Sequence, residues 1–316
     1  MKRLALVTCV WKRHAITRVF YQAVDYLRDW WQDEVDLVVV VAGSQDPVHA
    51  QLATAAGAVY LDVPNHPLGA KFQSTLTAAR TLDVDAVLIM GSDDLLDEPM
   101  ARAYLPILRG PEPCVGLRDW YFLQTEDGRF GYWPGYAQRH RLGEPAGGGR
   151  IIPVRWLDAL NWQLWETGKH HGMDHSSYRR LSSVGMPTFP LLTASSVPGC
   201  ALGLKGPDSL WRYEHVGPHR AEDKDTVLGR FPPDIREPLL AMRHRAPPGT
   251  IVEDPALIFG RHQPLRVEPP AYTMPAHREA AQRILMGLRD RVLEQSMHGE
   301  SVTWTEAAYT AAREQL

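Results

Sequence analysis

Apolar positions in the first ninety residues alternate between two textures. Residues 3–10 form an apolar, β-branched run suited to a buried strand. Ile16, Val19, Phe20, Ala23, Leu27, Trp30 and Trp31 then recur at helical spacing and mark one face of an amphipathic helix. Residues 35–41 are almost continuously apolar, the pattern of a strand buried on both faces. A short alanine-rich helix over 48–56 leads to a third strand at 58–63. Leu68, Phe72, Leu76, Ala79 and Leu82 return to helical spacing, and a fourth strand at 84–90 runs into Gly91-Ser92-Asp93-Asp94. This alternation predicts an α/β fold: a mostly parallel, doubly wound sheet with helices on both faces. Ligands of such sheets bind beyond the carboxyl ends of the strands. Trp11-Lys12-Arg13, Gly43-Ser44-Gln45-Asp46 and Ser92-Asp93-Asp94 are therefore the segments to weigh for chemistry.

Past Pro113 the pattern turns aromatic and turn-rich. Asp127-Gly128 between Trp120-Tyr121-Phe122 and Phe130-Gly131-Tyr132-Trp133 predicts a hairpin. Gly147-Gly148-Gly149-Arg150 follows, then a helix from Arg155. Between Gly217 and Pro275 prolines are frequent, which argues against long helices and for an irregular wrapping segment. Helical spacing resumes at 277–297, with a final helix from about Thr303. The expected organisation is a catalytic domain at 1–215, a proline-rich segment at 216–275 and C-terminal helices at 276–316.

Composition changes this picture little. The 316 residues are 44% hydrophobic and 22% charged, which excludes disordered, collagen-like and coiled-coil chains. With 34 Lys and Arg against 37 Asp and Glu the net charge is −3, so no global positive field announces nucleic acid or an anionic membrane. No apolar run approaches the roughly 20 residues that span a bilayer. Three scattered cysteines fit neither a disulfide framework nor a zinc ribbon. A soluble, cytoplasmic protein is expected.

Neither a Gly-x-Gly-x-x-Gly nor a Gly-x-x-x-x-Gly-Lys-Ser/Thr loop follows the first strand. Instead, adjacent carboxylates stand at the end of the fourth. Such a pair suits a hard divalent cation that bridges to phosphate oxygens; the competing role is a solvated turn capping the helix at Glu98-Pro99-Met100. Three glycines before Arg150 allow close approach to a ligand, with a planar cation beside it, or make a plain flexible loop. His170-His171-Gly172-Met173-Asp174-His175 carries the donors of a zinc or iron site, though adjacent histidines seldom point the same way. Asp174 is also placed to cap a helix.

In order and spacing these features resemble GT-A fold glycosyltransferases, nearest to the family-2-like sugar transferases, over roughly residues 3–215. The similarity rests on Leu6-Val7-Thr8-Cys9-Val10-Trp11-Lys12-Arg13, Val41-Ala42-Gly43-Ser44-Gln45-Asp46, Pro67-Leu68-Gly69-Ala70-Lys71-Phe72 and Val87-Leu88-Ile89-Met90-Gly91-Ser92-Asp93-Asp94. The last matches a strand ending in the metal-binding Asp-x-Asp motif. Two departures stand out: Ala42 replaces an acid that often reads the uracil base, and Gly91 or Ser92 replaces the first acid of Asp-x-Asp.

The resemblance implies an inverting, metal-dependent transfer from a nucleotide-sugar donor, with a UDP-sugar as first choice and Mn²⁺ or Mg²⁺ as cofactor. Thr8, Val10, Lys12, Arg13, Lys71, Ser92, Asp93, Gly148, Gly149 and Arg150 would contact the donor. Asp93, Asp94 and His215 would hold the metal, and Asp174 would be the general base. Gln138-Arg139-His140-Arg141-Leu142 resembles the Gln-x-x-Arg-Trp motif of processive synthases, but it lacks the Trp and precedes the base, so it is given no role. The acceptor is a glycan or small molecule by default, or a hydroxymethylated DNA base reached through the Arg139–Arg155 and Arg230–Arg245 regions. A sugar-phosphate nucleotidyltransferase and a non-catalytic nucleotide-sugar-binding protein are the alternatives; oligomeric state is not legible.

Overall fold

Side chains alternate faces along a strand, and the first strand uses both of its faces. Leu4 and Leu6 join one buried cluster, whereas Ala5 and Val7 join another on the opposite side. A computed structural model describes residues 1–194, 196–211, 213–215 (the backbone alone at 215) and 223–242. In chain order these form β1 (Lys2–Cys9), α1 (His14–Trp31), β2 (Val35–Gly43), α2 (Pro47–Ala55), β3 (Val59–Asp62), α3 (Leu68–Ala79), β4 (Ala86–Ile89), β5 (Asp94–Leu96), α4 (Glu98–Ala103) and α5 (Leu105–Leu108). There follow β6 (Gly116–Leu117), β7 (Trp120–Gln124), β8 (Phe130–Trp133), β9 (Arg150–Pro153), α6 (Val154–Ala159), α7 (Met173–Ser183), β10 (Leu191–Leu192), β11 (Ala201–Lys205), α8 (Lys224–Leu228) and α9 (Pro233–Ala241).

The main sheet has the order β3-β2-β1-β4-β9. Its first four strands run parallel and β9 pairs antiparallel with β4. The predicted doubly wound α/β sheet is thus observed, closed on one edge by a strand from the Gly147–Arg150 region. A second sheet, β5-β11-β7-β8, contains the predicted hairpin, and β6 pairs with β10.

Helix α1 binds the two sheets together. Phe20, Val24, Leu27 and Trp31 pack on the main sheet, while Ile16, Val19 and Ala23 pack with Leu95, Tyr121, Leu202 and Leu204 of the second. Its apolar surface is therefore wider than one stripe. Trp31 is fully buried and its indole N–H is satisfied by the Ala101 carbonyl at 2.9 Å.

The chain divides at Gly249, and its first unit holds all the described residues. Within the first, α8 and α9 add Val227, Leu228, Ile235 and Leu239 to the cluster under α1. Both are short, and α9 carries Pro238 inside. The expected helices at 276–316, and the rest of the proline-rich segment, lie outside the described residues. No described helix is long and apolar enough to cross a membrane.

Candidate active site

Strand order reverses between β1 and β4, and the cleft opens at their carboxyl ends, as the topology requires. It encloses about 1040 Å³. The loop after β4 folds back on itself: the Asp94 N–H donates to the Gly91 carbonyl at 3.1 Å, and Asp94 Oδ2 accepts from the Gly91 N–H at 2.7 Å. A Cβ added at Gly91 would stand 2.8 Å from both Asp93 Oδ1 and Asp94 Oδ2, so both carboxylates fold close over this glycine. The helix-cap role falls to Asp97 instead, whose side chain accepts from the Met100 N–H at 2.9 Å.

Lys12 and Arg13 both adopt left-handed backbone conformations, with φ of 50°. The turn sends Arg13 into the cleft, where Nη1 donates to Asp93 Oδ2 at 3.0 Å and to Ser209 Oγ at 3.2 Å. Lys205, at the end of β11, reaches the same Asp93 oxygen at 3.3 Å. Burial opposes ionisation of Asp93, but Lys205 and Arg13 outweigh it and hold the carboxyl below its usual range. Asp94 has the opposite fate. Burial and the neighbouring Asp93 charge push its pKa up. Two cations serve one carboxylate, and the second carboxylate is left short of positive charge.

A divalent cation fits this donor set. Asp93 Oδ1 and Asp94 Oδ2 are hard oxygen donors on neighbouring carboxylates, and added positive charge there would relieve the repulsion that loads Asp94. The third expected ligand, the His215 side chain, lies outside the described residues.

Gly147 and Gly148 form the opposite wall. A Cβ at Gly148 would overlap Asp94 Oδ2 and crowd Trp120, whereas one at Gly147 would lie 3.5 Å from the Asp174 Cβ. Consecutive Cα atoms are only about 3.8 Å apart, so Asp94 and Asp174 face neighbouring points of one segment. Gly172, with φ of 65°, occupies the cap position of α7. Asp174 is therefore inside the first turn rather than the cap considered from sequence. Its Oδ2 accepts from the Tyr136 hydroxyl, and from Arg141 Nη2 at 2.8 Å. Oδ1 has no hydrogen bond among the described residues. Burial raises the Asp174 pKa, yet Arg150, Tyr136 and Arg141 together bring it down to about 2. The carboxylate is ionised at neutral pH.

Other expected residues divide into two groups. Val10, Lys71, Ser92 and Arg150 line the cleft with the acids. Lys71 is buried and donates to the Val10 carbonyl at 2.7 Å and Asn65 Oδ1 at 2.9 Å, which braces the loop after β1. Arg150 is 1% exposed, and its guanidinium donates to the carbonyls of Ala146 and Asp174 and to Ser177 Oγ. By contrast, Thr8, Lys12 and Gly149 are not on the cleft wall. Lys12 pairs with Asp208 at 3.3 Å, and Gly149, with φ of 73°, offers its carbonyl to the buried Tyr104 hydroxyl. The histidines of 170–175 do not converge on a metal: His170 meets His66, and His175 meets Glu144.

Three cleft residues had no assigned role in the sequence. Lys205 was hidden because β11 is a buried strand whose last residue alone turns to the cleft. Arg141 sits in the motif set aside for its missing Trp, and Tyr136 lies just upstream. The aromatic run obeys strand alternation: Tyr121 and Leu123 enter the core under α1, while Trp120 and Phe122 face the cleft beside Trp133 and Trp211. The Trp120 indole N–H is buried without a partner among the described residues.

No family model matches the chain, and no curated relative matches it. Solved structures of similar fold include Staphylococcus aureus TarS 1-349 in complex with UDP-GlcNAc, at 14% identity, TM-score 0.44, covering 72% of this chain and 64% of that one. TarS 1-349 in complex with UDP gives 14% identity and TM-score 0.46, covering 66% and 61%. The inositol-1-phosphate CTP transferase from T. maritima gives 9% identity and TM-score 0.40, covering 77% and 96%. The matched region thus spans less than two thirds of the TarS chains. Likeness at this level concerns fold alone.

Proposed function

We propose that the chain is an inverting glycosyltransferase that moves a sugar from a nucleotide-sugar donor to an acceptor hydroxyl. The observation that carries this is the facing of two acidic centres across Gly147-Gly148. On one side stands the Asp93–Asp94 pair with Arg13 and Lys205; on the other stands the ionised Asp174, whose Oδ1 accepts no hydrogen bond among the described residues.

Asp93 and Asp94 would hold Mn²⁺ or Mg²⁺ beside the donor's diphosphate. Such a cation, when bound, offsets the charge that develops on the leaving group. Arg13 and Lys205 add fixed positive charge at the same place, preorganised by Asp93 itself. Asp174 Oδ1 takes the proton of the acceptor hydroxyl as that oxygen bonds to the anomeric carbon and the bond to the diphosphate oxygen breaks. Attack from the face opposite the leaving group inverts the configuration. Trp120, Phe122, Trp133 and Trp211 supply flat apolar surface on which sugar rings stack and from which water is excluded.

The test is product analysis with a panel of nucleotide sugars, UDP-sugars first, in Mn²⁺ or Mg²⁺. Acceptors are small glycans and, separately, hydroxymethylated duplex DNA. Nucleoside diphosphate released only when acceptor is present supports the proposal. Pyrophosphate release would instead mark a nucleotidyltransferase, and binding without turnover a non-catalytic protein. Asp93→Ala/Asp94→Ala is expected to remove the metal dependence of nucleoside diphosphate binding and weaken it by about tenfold or more, about 1.4 kcal/mol.

A further inference from the structure

The loops after β1 and β2 bring two imidazoles and a carboxylate together behind the cleft. His14 opens α1, Asp46 caps α2, and His49 lies in the first turn of α2. None of the three lines the cleft. One donor atom from each lies within 4.8 Å of the others. His14 Nε2 is 2.7 Å from Asp46 Oδ2, and His49 Nε2 is 3.7 Å from that same oxygen. On its other side, His49 Nε2 is 2.8 Å from the Lys12 carbonyl oxygen.

These separations are close to those within a metal's coordination shell. Tetrahedral zinc with bonds of about 2.0–2.2 Å holds its ligand atoms about 3.3–3.6 Å apart. The observed distances of 2.7, 2.8 and 3.7 Å lie on either side of that range, and the two hydrogen-bonded pairs would open by about half an ångström or more to admit the ion. The carboxylate is already oriented. Asp46 Oδ1 accepts the N–H groups of Val48 at 3.0 Å and His49 at 3.3 Å, which turns Oδ2 toward the imidazoles. His49 is fully buried, and its Nδ1 has no partner among the described residues. With its proton on Nδ1, the imidazole presents the Nε2 lone pair between two oxygens, where a cation would sit.

We propose that His14, Asp46 and His49, with the Lys12 carbonyl as fourth ligand, form a structural zinc site distinct from the Asp93–Asp94 pair. Two imidazole nitrogens and two oxygens suit a borderline transition metal, whereas the all-oxygen pair in the cleft suits Mg²⁺ or Mn²⁺. Four protein ligands leave no open position, which is the arrangement of a structural centre. The ion would tie the left-handed turn at Lys12-Arg13 to the start of α2. It would thereby fix the backbone from which Arg13 reaches Asp93.

The test uses the full chain, stripped with chelator and titrated with Co²⁺ as a coloured probe. One equivalent should give the intense visible bands of tetrahedral Co²⁺, bleached by Zn²⁺ and unaffected by excess Mg²⁺. His14→Gln and Asp46→Asn are chosen because His14 is part-exposed and Asn retains a capping oxygen. Each should weaken Co²⁺ binding by more than about 100-fold. Zn²⁺ should raise the thermal midpoint of the wild type but not of either variant. Asp93→Asn/Asp94→Asn should keep the bands. Absence of tetrahedral bands in the wild type, their survival in His14→Gln or Asp46→Asn, or their loss in the Asp93/Asp94 variant would each overturn the proposal.

Discussion

Arg141 donates from Nη2 to Asp174 Oδ2 at 2.8 Å while its guanidinium lies 3.4 Å from the centre of the Tyr136 ring. A third contact runs from Nε to Glu144 Oε2 at 2.7 Å. One planar group thus fixes the position of the carboxylate, stacks on the ring that also donates to it, and anchors both to a buried acid. Lysine cannot reproduce the fork and the stack together. Arg141→Lys is expected to lower kcat on the order of 10²-fold through misplacement of Asp174, with nucleotide affinity within a few-fold of wild type. Steady-state kinetics beside a binding titration separates the two; unchanged kcat would remove Arg141 from the site's positioning machinery.

The adjacent glycines make a matched pair of probes. At Gly147 an added methyl meets only the Asp174 Cβ at 3.5 Å and Arg150 Nη2 at 3.9 Å, both ordinary contacts. At Gly148 it collides with Asp94 Oδ2 and crowds the Trp120 ring. Gly147→Ala should fold and turn over close to wild type. Gly148→Ala should displace Asp94 and reduce metal-supported nucleotide binding by about tenfold or more, read by titration with and without Mn²⁺. Equal behaviour of the two variants would sink the claim that this segment touches the acidic pair.

The contrast between these neighbours shows where sequence runs out. Periodicity made the parallel strands legible because burial on both faces leaves few polar positions in β1, β2 and β4. The turn at Gly91-Ser92-Asp93-Asp94 was legible because ligand sites follow strand ends. Which of three glycines touches Asp94, however, depends on how β9 docks against β4. Likewise Lys205 meets Asp93 across 112 positions of chain, and no local pattern encodes that pairing. Arg141 was set aside on motif grammar, yet the fold brings its guanidinium to Asp174. Arg150, in contrast, was singled out for its charge, and its donors serve protein carbonyls and Ser177.

Asp97 offers a test of how the two sheets are joined. It is fully buried, with Oδ1 accepting the Met100 N–H at 2.9 Å and Oδ2 accepting the Cys200 N–H at 2.9 Å. It therefore caps α4 and ties it to the start of β11, the strand that ends in Lys205. Asp97→Ala leaves two buried donors without acceptors and should cost on the order of 2–4 kcal/mol. Urea unfolding should show a lower midpoint at unchanged slope. Asp97→Asn keeps one acceptor oxygen and should fall between the two.

Asp174 carries the last prediction, in which activity and stability separate by pH. Its folded pKa of about 2 lies below the roughly 3.9 of an unfolded aspartate. A lowered folded value stabilises the protein above the unfolded pKa, and that contribution is lost as pH falls through about 4 toward 2. It amounts to on the order of 2 kcal/mol at neutral pH. Asp174→Asn should therefore be less stable than wild type above pH 5, and the gap should close as the pH is lowered toward 2. Turnover should follow different rules, since Asn retains the shape but has no basic oxygen. At neutral pH kcat is expected to drop by a factor on the order of 10² to 10⁴, with donor binding largely retained. Because the wild-type carboxylate stays ionised throughout the accessible acid range, its own titration should not appear as an acid limb in kcat/KM above pH 4. A folded Asn variant within a few-fold of wild-type turnover would reduce Asp174 to a structural partner of Arg141 and Tyr136.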